Sequence, residues 1–305
     1  MSSERQFLIE GVLLSVIGLF GVFGNIAAIV YFGRAKWRKQ RFYALMLTRA
    51  IVDIMVIVSF IWFFSVPEFL ASTRTSFRWS VWLYPVINMS CTGSIYLTVA
   101  ISLERYLAIC KPLIYHDNQW SIKRYLIPIF FISIVYNIPT MFEFEWIEFT
   151  AKINGTDTKF TFGTMPTELK GNRDYDYIYT LWCDVIFRGI IPIALLISLN
   201  LMILNEMKRY KCYMNGDQNE EITRQVQLQM AEINLIIVAI FIICHVFRHI
   251  PPIHQLSYHN EHNPAGKCPY KDTIYSIGEV SEVVVVLNSS LSFYVYLFKY
   301  WIVKH

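Results

Sequence analysis

Seven long apolar runs separated by short polar segments organise the chain: Phe7–Phe32, Phe42–Val66, Val81–Ile109, Tyr125–Phe144, Tyr177–Leu204, Ile233–Pro252 and Thr273–Phe298. A helix of about 20 apolar residues crosses the hydrocarbon of a bilayer. Backbone polar groups find no water there, so each span closes its hydrogen bonds internally as a helix. The pattern predicts an all-α membrane protein: a seven-transmembrane helix bundle with a short inner terminal helix. The spans are expected over about 7–32, 42–66, 79–110, 124–144, 177–208, 226–252 and 273–298, in one domain over 1–305. The seventh run is the least apolar, because Glu279 and Glu282 fall in its first half. The first run is too long for a signal-peptide core and lacks a small-residue cleavage site, so it is expected to remain as a helix.

Composition agrees with this reading. The chain is 55% hydrophobic and 16% charged, with a mean hydropathy of +0.39, whereas soluble domains are about a quarter charged. The net charge of +4 is distributed by topology. Arg34, Lys36, Arg38, Lys39 and Arg41 crowd the first connection, against Arg5 alone before the first run. Basic residues mark the cytoplasmic side, so the amino terminus is expected outside. Lys111, Lys123, Arg124, Lys208, Arg209, Lys211, Arg224, Lys299 and Lys304 then fall inside. The segment 143–176 is acidic on balance and falls outside. This charge is a membrane-topology signal and implies no nucleic-acid partner.

Asn154-Gly155-Thr156 is a glycosylation sequon in that outer segment. The matches at Asn88 and Asn288 lie inside predicted spans and are set aside. The six cysteines, Cys91, Cys110, Cys183, Cys212, Cys244 and Cys268, form no CxxC pair and no zinc-like cluster with histidine. No cofactor or metal is expected. A Cys183–Cys268 bridge is the one disulfide left open.

Polar residues inside apolar runs carry the candidate chemistry. Asp53 lies midway along the second run, where a carboxylate costs roughly 2.5–3.5 kcal/mol unless it faces the bundle interior. Arg49 precedes it by one helical turn and can pair with it. Asn25 and Ser94 lie within the first and third runs, and Asn288, Ser292 and Tyr296 recur every four residues on the seventh. These residues are expected to form one buried polar network; the alternative is that each only bonds neighbouring helices together. On the fifth run Asp184 and Arg188 precede Pro192, and either form a structural ion pair or line a ligand cavity. On the sixth, His245 follows Phe241 by one turn, and Pro251-Pro252 is expected to break the helix. The third run ends in Glu104-Arg105-Tyr106. An arginine at the end of a span must reach water or a partner. Glu104 is expected to neutralise it in one state and release it in another.

Gly24-Asn25, Asp53, Glu104-Arg105-Tyr106, Pro192 and Tyr296, set in seven spans, resemble the rhodopsin-like (class A) G-protein-coupled receptors. The runs GSIYLTVAISLERYLAICKPL (93–113), YNIPTMFEF (136–144), FxxCH (241–245) and LNSSLSFYVY (287–296) resemble invertebrate and nematode FMRFamide-type, myosuppressin-receptor-like neuropeptide receptors. The resemblance implies a plasma-membrane receptor for an amidated peptide ending in Arg-Phe-amide, coupled to a heterotrimeric G protein. On that reading the peptide cation seeks Glu282 or Glu279, then Asp184 beside Arg188. Its phenyl ring enters a pocket near Tyr96, Phe187, Phe241 and His245. Glu104, Arg105, Tyr106, Leu113 and Tyr296 serve the switch and the inner face, with Lys208 and Arg209 at the rim.

The departures from the family pattern are specific. Ser80 stands where the family has the third-helix cysteine, and 143–182 contains none. His245 and Phe247 replace the usual tryptophan and proline of the sixth helix, and Ser292 begins the seventh-helix motif without its Asn and Pro. Arg49 and Ser292 do not suit the sodium site the family implies at Asp53. Gln227 stands where an acid often restrains the switch arginine, which leaves Glu104 as its expected restraint. A small-molecule chemoreceptor on the same fold is the alternative reading. A transporter fits less well, for want of internal repeats, and no nucleophile or metal set suggests an enzyme.

Overall fold

A computed structural model describes residues 2–34, 41–69, 74–117, 121–153, 156–212, 218–260 and 271–304. Among these, six helices are long and apolar enough to cross a membrane: Glu4–Phe32, Arg41–Phe69, Val81–Cys110, Lys123–Phe142, Arg173–Arg209 and Leu228–His249. The seventh helix, Lys271–Lys304, carries the two acids in its outer half (outer and inner follow the orientation the sequence predicts) and packs against the first, second and sixth. It continues without a break to Lys304, so the short terminal helix expected from the sequence is its own extension. The sixth, Gln218–Asn260, likewise runs through Pro251-Pro252 instead of breaking there. Proline has a helical φ, and its cost is the ladder bonds it cannot donate.

The third helix, Arg74–Cys110, is the central post of the bundle. Its membrane window is 72% buried, against 28% for the fourth. The fourth accordingly turns Ile127, Phe131, Ile134 and Val135 outward, as a lipid-facing surface requires. The first helix uses small residues for close approach. A Cβ on Gly21 would run into the Ser290 hydroxyl, and one on Gly24 would lie 2.8 Å from the Tyr294 ring. Tyr294 is thereby stacked on Phe20 with ring centres 4.7 Å apart, and its hydroxyl donates to the Phe20 carbonyl at 2.8 Å. Small residues at helix interfaces allow this backbone proximity in lipid.

The outer halves of the first, second and fifth helices contain π-helical turns, at Phe7–Leu13, Ile61–Ser65, Asp176–Cys183 and Val185–Ile190. The last of these runs directly into Pro192, whose missing N–H interrupts the ladder. One element outside the all-α expectation is an antiparallel hairpin between the fourth and fifth helices, β1 (Phe144–Ile153) paired with β2 (Thr156–Pro166). The sequon asparagine Asn154 lies outside the described residues.

Candidate functional site

At the inner end of the third helix Glu104 and Arg105 are both buried, at 0% and 1% exposure. They do not face each other, since adjacent residues on a helix point about 100° apart. Glu104 instead lies 3.0 Å from the Nε of Arg41, at the start of the second helix, and accepts a 2.8 Å hydrogen bond from the Tyr125 hydroxyl of the fourth. Glu104 is thus held in an Arg41–Glu104–Tyr125 lock while its charge still attracts the neighbouring Arg105. The Arg105 guanidinium sits 4.0 Å over the Phe42 ring, with Nη1 3.3 Å from the Met230 sulfur of the sixth helix and Tyr115 bonded beside it. Tyr106 packs among inner apolar residues, and Leu113 is 80% exposed. The Tyr296 side chain lies outside the described residues.

Midway through the bundle Asp53 is fully buried. Ser94 donates to it at 2.6 Å, Ser289 bonds it from the seventh helix, and Arg49 Nε approaches to 3.4 Å. Asn25 donates to the Gly21 carbonyl at 2.9 Å and to the Ser289 carbonyl at 3.0 Å. Asn288 and Ser292 are buried, but the contact with Asp53 comes from Ser289 between them. Their four-residue spacing identifies a shared face without saying which face meets the second helix.

In the outer half Asp184 pairs with Arg188 one turn later and lies 3.6 Å from His249 Nδ1 of the sixth helix. Arg188 also donates to Asn88 at 2.8 Å. Gly189 makes room for this corner, since a Cβ there would approach His249 Nε2 to 2.8 Å. Asp184 thus already has its cation. Phe241 and His245 stack with ring centres 4.0 Å apart, both buried. Tyr96 donates to the Phe187 carbonyl at 2.8 Å, whereas Phe187 is 44% exposed and its ring lies against Tyr136.

A second charged corner lies between the first, second and seventh helices. Arg5 Nε is 3.4 Å from Glu279, and Gln6 donates to Glu10 at 3.0 Å. Glu282 lies among Glu10, Glu279 and Arg248, and its buried Oε2 has no hydrogen-bond partner among the described residues.

The base of the outer hairpin is held by charge. Glu143, 1% exposed, accepts from the Tyr175 hydroxyl at 2.9 Å and lies 3.4 Å from Lys170 Nζ. Lys170 donates onward to Asp176 at 2.9 Å and Thr180 at 3.0 Å. Phe144 packs edge-on against Tyr84 of the third helix at 4.9 Å. Cys91, Cys110, Cys183 and Cys244 are free thiols, and Cys268 lies outside the described residues. Arg41, Glu143, Lys170 and Ser289 were not among the residues the sequence singled out for the site. Arg41 and Glu143 register in the sequence only as loop charges.

Residues 24–296 match the family model of the 7 transmembrane receptor (rhodopsin family). Over 308 residues the chain is 27% identical to an FMRFamide receptor of Drosophila melanogaster, covering 97% of this chain and 52% of that protein. It is 23% identical to the probable G-protein coupled receptor frpr-1 of Caenorhabditis elegans, covering 96% of this chain and 76% of the relative. It is 22% identical to the FMRFamide peptide receptor frpr-18 of the same nematode, covering 96% and 66%. The chain therefore spans about half the length of the Drosophila relative.

Proposed function

The chain belongs to the rhodopsin family of seven-transmembrane receptors, and from that premise we propose that it is a receptor for an FMRFamide-like peptide ending in Arg-Phe-amide. It is a multi-pass plasma-membrane receptor of the G-protein-coupled class and not an enzyme. In the proposed orientation the amino terminus is outside, as the basic first connection supports.

The observation that carries the ligand reading is Glu282. Its carboxylate is buried beside two further acids, with Oε2 unpartnered among the described residues. A carboxyl buried among acids is costly to ionise even with Arg248 nearby, and an arriving cation of fixed geometry relieves that cost. An arginine near the peptide carboxyl end supplies such a cation, with donors in a planar fork. Asp184 is the weaker anchor because Arg188 and His249 already face it. The stacked Phe241–His245 pair offers an aromatic floor for the terminal phenyl group.

Binding favours an open inner face only by the peptide's differential affinity for that state. Opening frees Arg105 from Phe42 and Met230 and presents it to a heterotrimeric G protein, with exposed Leu113 at the rim. The test is Glu282→Gln. Losing a desolvated charge pair costs about 2–5 kcal/mol, so the potency of an Arg-Phe-amide peptide falls about thirtyfold or more with surface expression unchanged. Unchanged potency at normal expression removes Glu282 as the anchor.

A further inference from the structure

Arg105 meets the sixth helix at Met230, and a second, polar contact between the third and sixth helices lies one turn further out. No acid is available at Gln227, and Glu104 is engaged by Arg41. One turn outward from Met230, on the same face of the sixth helix, is Asn234, 2% exposed. Its amide donates to the Ser102 hydroxyl of the third helix at 3.2 Å and to the Asn200 carbonyl oxygen of the fifth at 3.0 Å. Asn200, also buried, donates to the same Ser102 oxygen at 3.5 Å and to its own helix at the Leu196 carbonyl at 2.7 Å. Ser102 in turn lies one turn before Arg105.

This polar rung is enclosed between two apolar layers of the same three helices. Outward lie Ile95, Leu196, Val238 and Phe241; inward lie Ile109, Ile203, Met207 and Ala231. Neither layer offers the amides an alternative partner. If the inner half of the sixth helix swings away, Asn234 loses both acceptors while Asn200 and Ser102 remain buried. Leaving buried donors and acceptors unpaired costs more than an exposed hydrogen bond is worth.

We propose that Asn234, Ser102 and Asn200 form an uncharged latch that positions the sixth helix over Arg105 and sets the resting activity of the receptor. The latch acts in addition to the contacts of Arg105 itself, and it is independent of which ligand binds outside. Asn234 is a positioning residue, since it acts on Arg105 through the placement of Met230.

Asn234→Leu keeps approximate volume and removes both donors. Ser102→Ala removes the shared acceptor without adding bulk, and serves if the leucine variant fails to fold. Two readouts apply to receptor in lipid nanodiscs without ligand. The first is dipolar spectroscopy between spin labels at the exposed inner positions Lys111 and Gln229, with the six native cysteines replaced by serine. The second is agonist-independent nucleotide exchange on a panel of heterotrimeric G proteins. Loss of one to two kcal/mol of restraint shifts the closed-to-open ratio by about five- to thirtyfold. The expected result is a grown long-distance population in both variants, smaller in Ser102→Ala, with basal exchange raised in parallel. A distance distribution indistinguishable from that of the unsubstituted receptor, in folded protein, overturns the latch.

Discussion

A guanidinium and a carboxylate buried one turn apart in lipid depend on each other. Arg49 and Asp53 are 2% and 0% exposed, and Nη1 and Nη2 of Arg49 have no hydrogen-bond partner among the described residues. Removing one member of such a pair strands the other charge, at about 3–5 kcal/mol, whereas replacing both is close to neutral. Arg49→Met is therefore expected to lower receptor stability by about that amount. Arg49→Met with Asp53→Asn is expected to recover most of the loss, as thermal unfolding in detergent reads directly. A fully additive pair of losses contradicts the pairing. The pairing of Arg49, Asp53 and Ser94 was legible in the sequence because charges and hydroxyls inside apolar runs have few places to go. Ser289 was not, because helical spacing groups residues by face without fixing the rotation of the helix. Asn200 and Asn234 carry the same signal as Asn25, an amide within an apolar run, and only the assembled bundle shows that they meet at Ser102.

At the scale of elements, the outer hairpin shows how a long loop is fixed with no cysteine from 143 to 182. The clasp of Glu143 with Lys170 and Tyr175 joins the end of the fourth helix to the start of the fifth, closing the hairpin at its base. Glu143 is buried, so the pairing is screened little by solvent. Lys170→Met is expected to speed hydrogen exchange across 144–166 by about tenfold, the equivalent of 1.4 kcal/mol. The exchanged pair Glu143→Lys with Lys170→Glu is expected to restore much of the protection, and reducing agent is expected to leave it unchanged. Equal protection in Lys170→Met and the unsubstituted receptor contradicts the clasp. The hairpin itself was not legible, because residues 144–166 mix charged, polar and aromatic positions without clear alternation. Pro251-Pro252 misled in the opposite direction: a proline pair predicts a break, yet the helix continues through it to Asn260.

Over the whole molecule, charge is arranged in tiers along the third helix. The outer tier contains Asp184 with Arg188 and the separate acidic corner at Glu282; the middle contains Asp53 with Arg49; the inner contains Glu104 with Arg41 and, beside it, Arg105 over Phe42. In the proposed mechanism a peptide cation completes the outer tier and opens the inner one, with the asparagine rung between them opposing the change. The seven-run pattern made the bundle readable from the sequence, whereas the partner of each charge depended on helix rotation. The most direct test is nucleotide exchange in membranes containing the receptor, a heterotrimeric G-protein panel and a library of Arg-Phe-amide peptides, each paired with an analogue bearing norleucine for arginine. The account predicts that at least one amidated peptide stimulates exchange and that its norleucine partner fails to do so at the same concentration. It is contradicted if no Arg-Phe-amide peptide stimulates exchange while Asn234→Leu raises exchange in the same membranes, since the receptor would then couple but not answer to this ligand class.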